Sequence, residues 1–398
     1  MKDAFAKKGI VLGPEVDASR IAQDAVLHPG CRIRGAKTSI GSGCELGAEG
    51  PVTLEDCQLG RNVQLKGGFF SGAVFLDGAN MGSGAHVRAG TILEEEANGA
   101  HTVGLKQTVL LPFVTLGSLI NFCDILMAGG TSRSDHSEVG SSYIHFNFTP
   151  HQDKATASLV GDVPRGVLLN QKPIFLGGQG GLVGPARMAY GTVVAAGGVC
   201  RKDVLEENRL HVPAAPEERT VPYELGVYKK IGRIVKNNLI YIGNIRALNA
   251  WYENVRVLFI RDEFDQAVHE GALSNLGIIL AERIKRLEQL ADKMEHSFQT
   301  LETGSAGSFK FFQGSEKQQA DFLSMAKKQR EFSKVWKTLR ERLEAPLDTV
   351  ANAGLMTEIE KADPENYIAA IQNLSEGART GAVAWLQSIV DETTVLAE

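Results

Sequence analysis

The stretch IAQDAVLHPGCRIRGAKTSIGSGCELGAEGPVTLEDCQLGRNVQ, residues 21–64, decides the fold. It cuts into blocks of six or seven residues: IAQDAV, LHPGCR, IRGAKTS, IGSGCE, LGAEGP, VTLEDCQ and LGRNVQ. An aliphatic residue starts each block, Gly often follows it, and Ala, Cys or Val commonly stands four places on. The pattern returns as MGSGAH (81–86) and in LVGPARMAYGTVVAAGGVC (182–200). Such a period describes a solenoid coil with three short flat faces. The aliphatic residue points into the prism, the small residue fits beside it, and Gly, Asn or Asp takes the sharp corner. This is the hexapeptide signature of a left-handed parallel β-helix, an exception to right-handed crossovers that only the period justifies. A β-sandwich would instead alternate over longer strands with turns every 8–12 residues. Cys31, Cys44 and Cys57 recur at near-constant intervals and are expected to face inward as small apolar side chains, not as disulfides or zinc ligands.

The phase is lost twice. Residues 66–80 read as a modest slip, and about 120–157 as a long irregular loop containing SSYIHFNFTPHQDKAT (141–156), a segment with no clean period. Loops that leave a solenoid commonly serve a ligand or partner. The coils resume and close at Lys202–Val204, so the β-helix is assigned to residues 1–204. A proline-rich connector follows at 205–221, and an α-helical domain at 222–398. There Leu280, Ile284, Leu287, Ala291, Met294, Phe298 and Leu301 recur at steps of three and four, the stripe of a bundle helix or a short self-associating coil. GSAGSFKFFQGS (304–315) separates it from helices expected at about 316–345 and 364–392.

The chain has 398 residues and a formal charge of −5. That balance gives no sign of a nucleic-acid or anionic-membrane partner. The first residues, MKDAFAKKGIVLGPEV, carry no apolar run of signal-peptide length, and no window approaches a membrane span, so a cytoplasmic protein is expected.

The segment FLGGQGGLVGPARMAYGTVVAAGGVCRKDV (175–204) resembles, over its length and without gaps, the acetyltransferase half of the bifunctional N-acetylglucosamine-1-phosphate uridyltransferase/glucosamine-1-phosphate acetyltransferase family. SSYIHFNFTPHQDKAT and VGLKQT (103–108) resemble two further motifs of that family. The resemblance implies a homotrimer that binds acetyl-CoA and an amino sugar phosphate between adjacent subunits, with no metal required. The family's nucleotidyltransferase motif is absent, so uridylyl transfer is not expected, and the helical domain has no counterpart in it. By this resemblance Asn147 contacts the sugar, Lys106 meets the substrate phosphate and the Ala196 backbone lies along the pantetheine arm. Phe148 replaces a tyrosine, Gly178 a serine on the acyl carrier, and Asp153 a lysine, with Lys154 next door. The family's catalytic histidine falls near Ser118 or Phe122, and neither register keeps it.

Acyl transfer to an amine needs a base near the nitrogen and a donor at the developing oxyanion. The candidate bases are His136, His145 and His151. His136 reads as a displaced base or an exposed loop residue. His145, alternating with Ile144 and Phe146, reads as a pocket-lining or a buried, hydrogen-bonded core histidine, and His151 as a surface residue. Arg133 and Lys154 are candidates for a phosphate or coenzyme A, or else solvated loop charges. Asn147, framed by Phe146 and Phe148, demands a polar partner. A zinc site of His86, His145 and His151 is the metal alternative, weakened by the lack of a close histidine pair. The expected function is acyl-CoA-dependent N-acyl transfer to an amino sugar phosphate or nucleotide-linked amino sugar. The alternative is a non-catalytic sugar-nucleotide-binding or trimeric scaffold protein.

Overall fold

The computed structural model describes residues 6–215, 217, 218, 220, 223–303, 316–347 and 349–395. The separator at 304–315 and positions 216, 219 and 221 of the connector lie outside the described residues. The first half is the expected left-handed parallel β-helix. Face A runs from Val11–Leu12 through Tyr143–Phe146 to Val199–Cys200, and face B from Ser39–Ile40 through Ser158–Val160 to Arg187–Met188. Face C is a ten-stranded parallel sheet from Val26–Leu27 to Leu210–His211.

The repeat produces this by stacking like on like. In register, Ile33, Leu54, Phe70, Val87, Leu105 and Phe122 form one inward column on face A, each at most 1% exposed. Each such side chain contributes about 1.5–3 kcal/mol on burial. Cys31, Cys44 and Cys57 point inward as the period requires, and all five cysteines are free and buried.

The two expected phase breaks look different in three dimensions. Residues 66–80 keep the coil: Gly68–Ser71 and Ala73–Phe75 are in-register strands, with Phe70 and Phe75 packed edge to face inside the prism. Aromatic side chains stand where the period shows aliphatic ones. Between 120 and 157 the coil also persists in Asn121–Met127, Glu138–Val139 and Tyr143–Phe146. Only an antiparallel hairpin, Gly130–Ser132 with Asp135–His136, and the loop after Phe146 leave it. A further excursion follows Val160 and carries the one-turn helix α1 (Val163–Gly166). The strand Leu210–His211 lies inside the stretch read as connector, because its aliphatic residue still holds the face C register beneath Val193–Val194.

Six further helices are described: α2 (Gly232–Asn254), α3 (Glu263–Thr303), α4 (Glu316–Glu344), α5 (Ala353–Ile359), α6 (Tyr367–Gln372) and α7 (Glu376–Val395). The stripe from Ile284 to Leu301 on α3 is buried within the chain, so it serves intramolecular packing. The helices lie against face B: α3 packs on its strands at 39–40, 58–59, 73–75 and 91–93, and α2 on Ser158–Val160. A buried ionic seam fastens the two parts. Arg256 donates to Glu94 (2.8 Å) and Glu95 (2.7 Å), and Tyr252 donates to Glu94 (2.8 Å). Burial pushes the Glu94 carboxyl up to about 7 despite Arg256. On face A the outward side chains His86, Arg88, Asn121, Ile144 and Phe146 are exposed.

Candidate functional site

The site lies at the corner between faces A and B. Two long strands, Gly104–Leu110 and Asn121–Met127, run through that corner without a break. Their corner residues Gln107 (φ +47°) and Asp124 (φ +61°) take the left-handed conformation usually left to Gly or Asn. The outward position just before the corner is occupied on three successive rungs by Arg88, Lys106 and Cys123, as the Val87–Leu105 and Lys106–Cys123 pairings require. Successive rungs are about 4.8 Å apart, so the two cations are direct neighbours. Lys154, on the loop after Phe146, adds its positive field at Cys123 together with Arg88 and Lys106. Among the described residues, none of the three cations has a carboxylate within ion-pair distance; their nearby acid, Asp124, is spent on Arg283 (2.7 Å). Like charges facing each other across strands are destabilising, and an anion between them relieves the cost. Burial, then Asp124, raises the Cys123 thiol, which makes it a neutral side chain at this spot and not a nucleophile.

Asn147 joins the cluster from the loop, its Nδ2 donating to Asp124 Oδ2 at 2.9 Å. The partner demanded by a polar residue between two phenylalanines is thus an acid one coil away. Phe148 is 58% exposed beside it. The structure therefore brings together Lys106, Lys154, Asn147 and Phe148. Arg88 and Asp124 are additions that the sequence reading missed. Arg88 sits in an ordinary coil, GAHVRAG, and only its register against Lys106 marks it.

The histidines are distributed otherwise. His145 is inside the prism, 2% exposed, with Nδ1 2.5 Å from the Cys123 carbonyl and Nε2 2.8 Å from Ser158 Oγ. Burial lowers its pKa to about 4. Of its two readings this geometry favours the core one, because both nitrogens are occupied and no solvent path reaches them. His136 is on the hairpin, which leaves between faces B and C. Its Nδ1 is 2.8 Å from the Arg133 carbonyl, and Arg133 ties the hairpin down by donating to the Glu96 and Phe113 carbonyls and Thr115 Oγ1. His136 and Arg133 are thus at a different corner from Asn147. His151 packs between Tyr223 and Tyr228, where Nδ1 accepts from the Gly226 N–H at 3.2 Å. His86 stands on face A, stacked on Phe69. Among the described residues no three His, Cys, Asp or Glu side chains are grouped as metal ligands.

Gly178 and Ala196 meet at the third corner, between faces C and A. There Gly140, Gly177, Gly178 and Ala196 stack so closely that a Cβ on Gly178 would lie 2.7 Å from the Ser141 carbonyl oxygen. A serine at this position does not fit without moving the coil. Gly197 donates its N–H to the Gly178 carbonyl at 2.9 Å, and Ala196 is exposed beside it. Face A is bounded by the cationic cluster on one edge and this stack of small residues on the other.

The chain is similar in sequence to several proteins called bifunctional protein GlmU. That of Trichlorobacter lovleyi is 29% identical over 191 residues, 48% of this chain and 37% of that protein. That of Thermotoga petrophila is 28% identical over 185 residues, 46% of this chain and 37% of the relative. That of Pelobacter propionicus is 25% identical over 234 residues, 58% and 43% of the two chains. The chain spans well under half the length of these curated relatives. No protein-family model matches it. The β-helix fits the acetyltransferase half of these relatives, in keeping with the motifs at 103–108, 141–156 and 175–204.

Proposed function

We propose that the β-helix is the scaffold of a coenzyme A-dependent N-acyltransferase whose acceptor is a phosphorylated amino sugar. One observation carries the reading: Arg88 and Lys106 stand on successive rungs without carboxylate partners, and the loop that brings Asn147 to the same corner also carries Lys154. Three cations suit the phosphate, and the Asn147 amide, one N–H bound to Asp124, keeps its oxygen and second N–H for sugar hydroxyls. Acetyl-CoA is assigned to the Gly178–Ala196 corner, where small residues would let a pantetheine arm lie close to the backbone. In the reaction the amine nitrogen attacks the thioester carbonyl, the C–N bond forms and the C–S bond breaks. The proton from nitrogen passes through a base to the departing thiolate.

The two ligand regions and His136 occupy three different corners of one chain. The proposal therefore includes a homotrimer, in which corners of neighbouring copies face each other and His136 of one copy serves the site of the next. A second reading, ligand binding without turnover, is favoured by one observation: His145, the candidate base two residues from Asn147, is buried with both ring nitrogens occupied. Calorimetric titration separates the contributions of the cluster. Asn147→Ala is expected to weaken glucosamine-1-phosphate about tenfold with the assembly unchanged, and Lys106→Ala to weaken it by about tenfold or more. Affinities equal to wild type in both variants would remove the cluster from the site.

A further inference from the structure

Arg283, on α3, is 1% exposed, and it reaches from the helical domain to the floor of the corner that carries the cluster. Its Nη2 donates to Asp124 Oδ1 at 2.7 Å and Gln107 Oε1 at 3.2 Å, and its Nη1 to the Lys154 carbonyl at 3.2 Å. One guanidinium thus touches both long strands and the loop. Asp124 is shared: one carboxylate oxygen takes Arg283, the other takes Asn147. The loop is held by the same domain elsewhere. Tyr228 donates to Asp153 (2.8 Å), Asn238 to the Ala155 carbonyl (2.9 Å) and Lys293 to the His151 and Gln152 carbonyls (2.8 Å each).

We propose that the helical domain is a working part of the ligand site, with Arg283 a positioning residue that sets the orientation of Asn147 through Asp124. This rests on the reading of the cluster as a sugar-phosphate site and deepens it. A buried ion pair is weak as a source of stability, since desolvation cancels much of its attraction, whereas it fixes orientation well. The planar fork of Arg matches this task, because it spans the carboxylate and Gln107 from one rigid group. The clamp acts on the turn itself, for Asp124 and Gln107 are the left-handed corner residues of the two strands. Asp153 accepts from Tyr228 in the segment leading into α2, so the loop carries its own acid for the domain that holds it.

The test uses the full chain, inorganic phosphate and glucosamine-1-phosphate as probes, and the variants Arg283→Met and Arg283→Lys. Arg283→Lys keeps a positive charge on Asp124, so inorganic phosphate, which needs only Arg88, Lys106 and Lys154, is expected to stay within about twofold in R283K. In R283M, where the freed Asp124 competes for the cations, phosphate is expected to weaken less than glucosamine-1-phosphate. Glucosamine-1-phosphate should weaken about tenfold in R283M and less in R283K, which keeps the charge without the fork. Equal losses for the two probes, or none, would overturn the proposal. Should R283M fail to fold, R283K gives the same split at smaller amplitude. If the wild type binds phosphate but not glucosamine-1-phosphate, the sugar reading fails and the positioning role is decided separately, by a crystal structure of the folded variant. Asn147 displaced from Asp124 supports the role, and an unchanged 2.9 Å contact contradicts it.

Discussion

Two side chains of the same segment, His145 and Asn147, show how far residue type and neighbours can be read. Asn147 was legible because an amide between two phenylalanines has to find a partner, and it does so in Asp124. His145 could be read two ways from its alternation, and only the position of Ser158, thirteen residues on, resolves it into the core. Arg88, Asp124 and Arg283 gave no local signal. Each acts through a residue on another coil or in the other half of the chain, and nothing in a linear neighbourhood encodes that. The burial of His145 has a pH consequence. Its folded pKa, about 4, lies below the unfolded value near 6.5, so between these the unfolded chain takes up a proton that the folded one refuses. Its contribution is fully present above pH 6.5 and is lost as pH falls toward 4, by up to about 3 kcal/mol. Urea unfolding at pH 7.5 and pH 5 should show this loss in the wild type and a smaller one in His145→Gln; equal losses would place the histidine outside the core.

At the scale of the element, the coil was legible wherever aliphatic, small and corner residues kept their order. It went unread at Phe70, Phe75, Tyr143 and His145, where larger side chains fill the same inward positions. The coil tolerates them inside and is far less forgiving at corners. A Cβ on Gly177 would lie 2.4 Å from the Ala196 nitrogen, whereas one on Gly50 meets nothing within 4 Å. Gly177→Ala should therefore destabilise by about 1–3 kcal/mol, read as a lower thermal midpoint, while Gly50→Ala leaves the midpoint nearly unchanged. Similar midpoints for the two would mean that the stacked corner yields. The loops were located in outline only, since a loss of period marks both a true excursion, such as the hairpin carrying His136, and a regular coil with unusual fillings.

Across the whole molecule, the division into a β-helix and a helical part was plain from the change of period, but not their union. The sequence shows two patterns in succession, whereas the structure lays α2 and α3 along face B and buries Arg256 and Arg283 in it. Face A keeps exposed side chains between the cationic corner and the Gly178–Ala196 corner. The most direct measurement is therefore titration of the purified protein with acetyl-CoA, followed by glucosamine-1-phosphate, with heat and free coenzyme A thiol recorded together. Saturable heat on the first addition and thiol release on the second is the predicted result. No heat with acetyl-CoA, and binding of UDP-N-acetylglucosamine alone, would contradict acyl transfer and leave a sugar-nucleotide-binding protein.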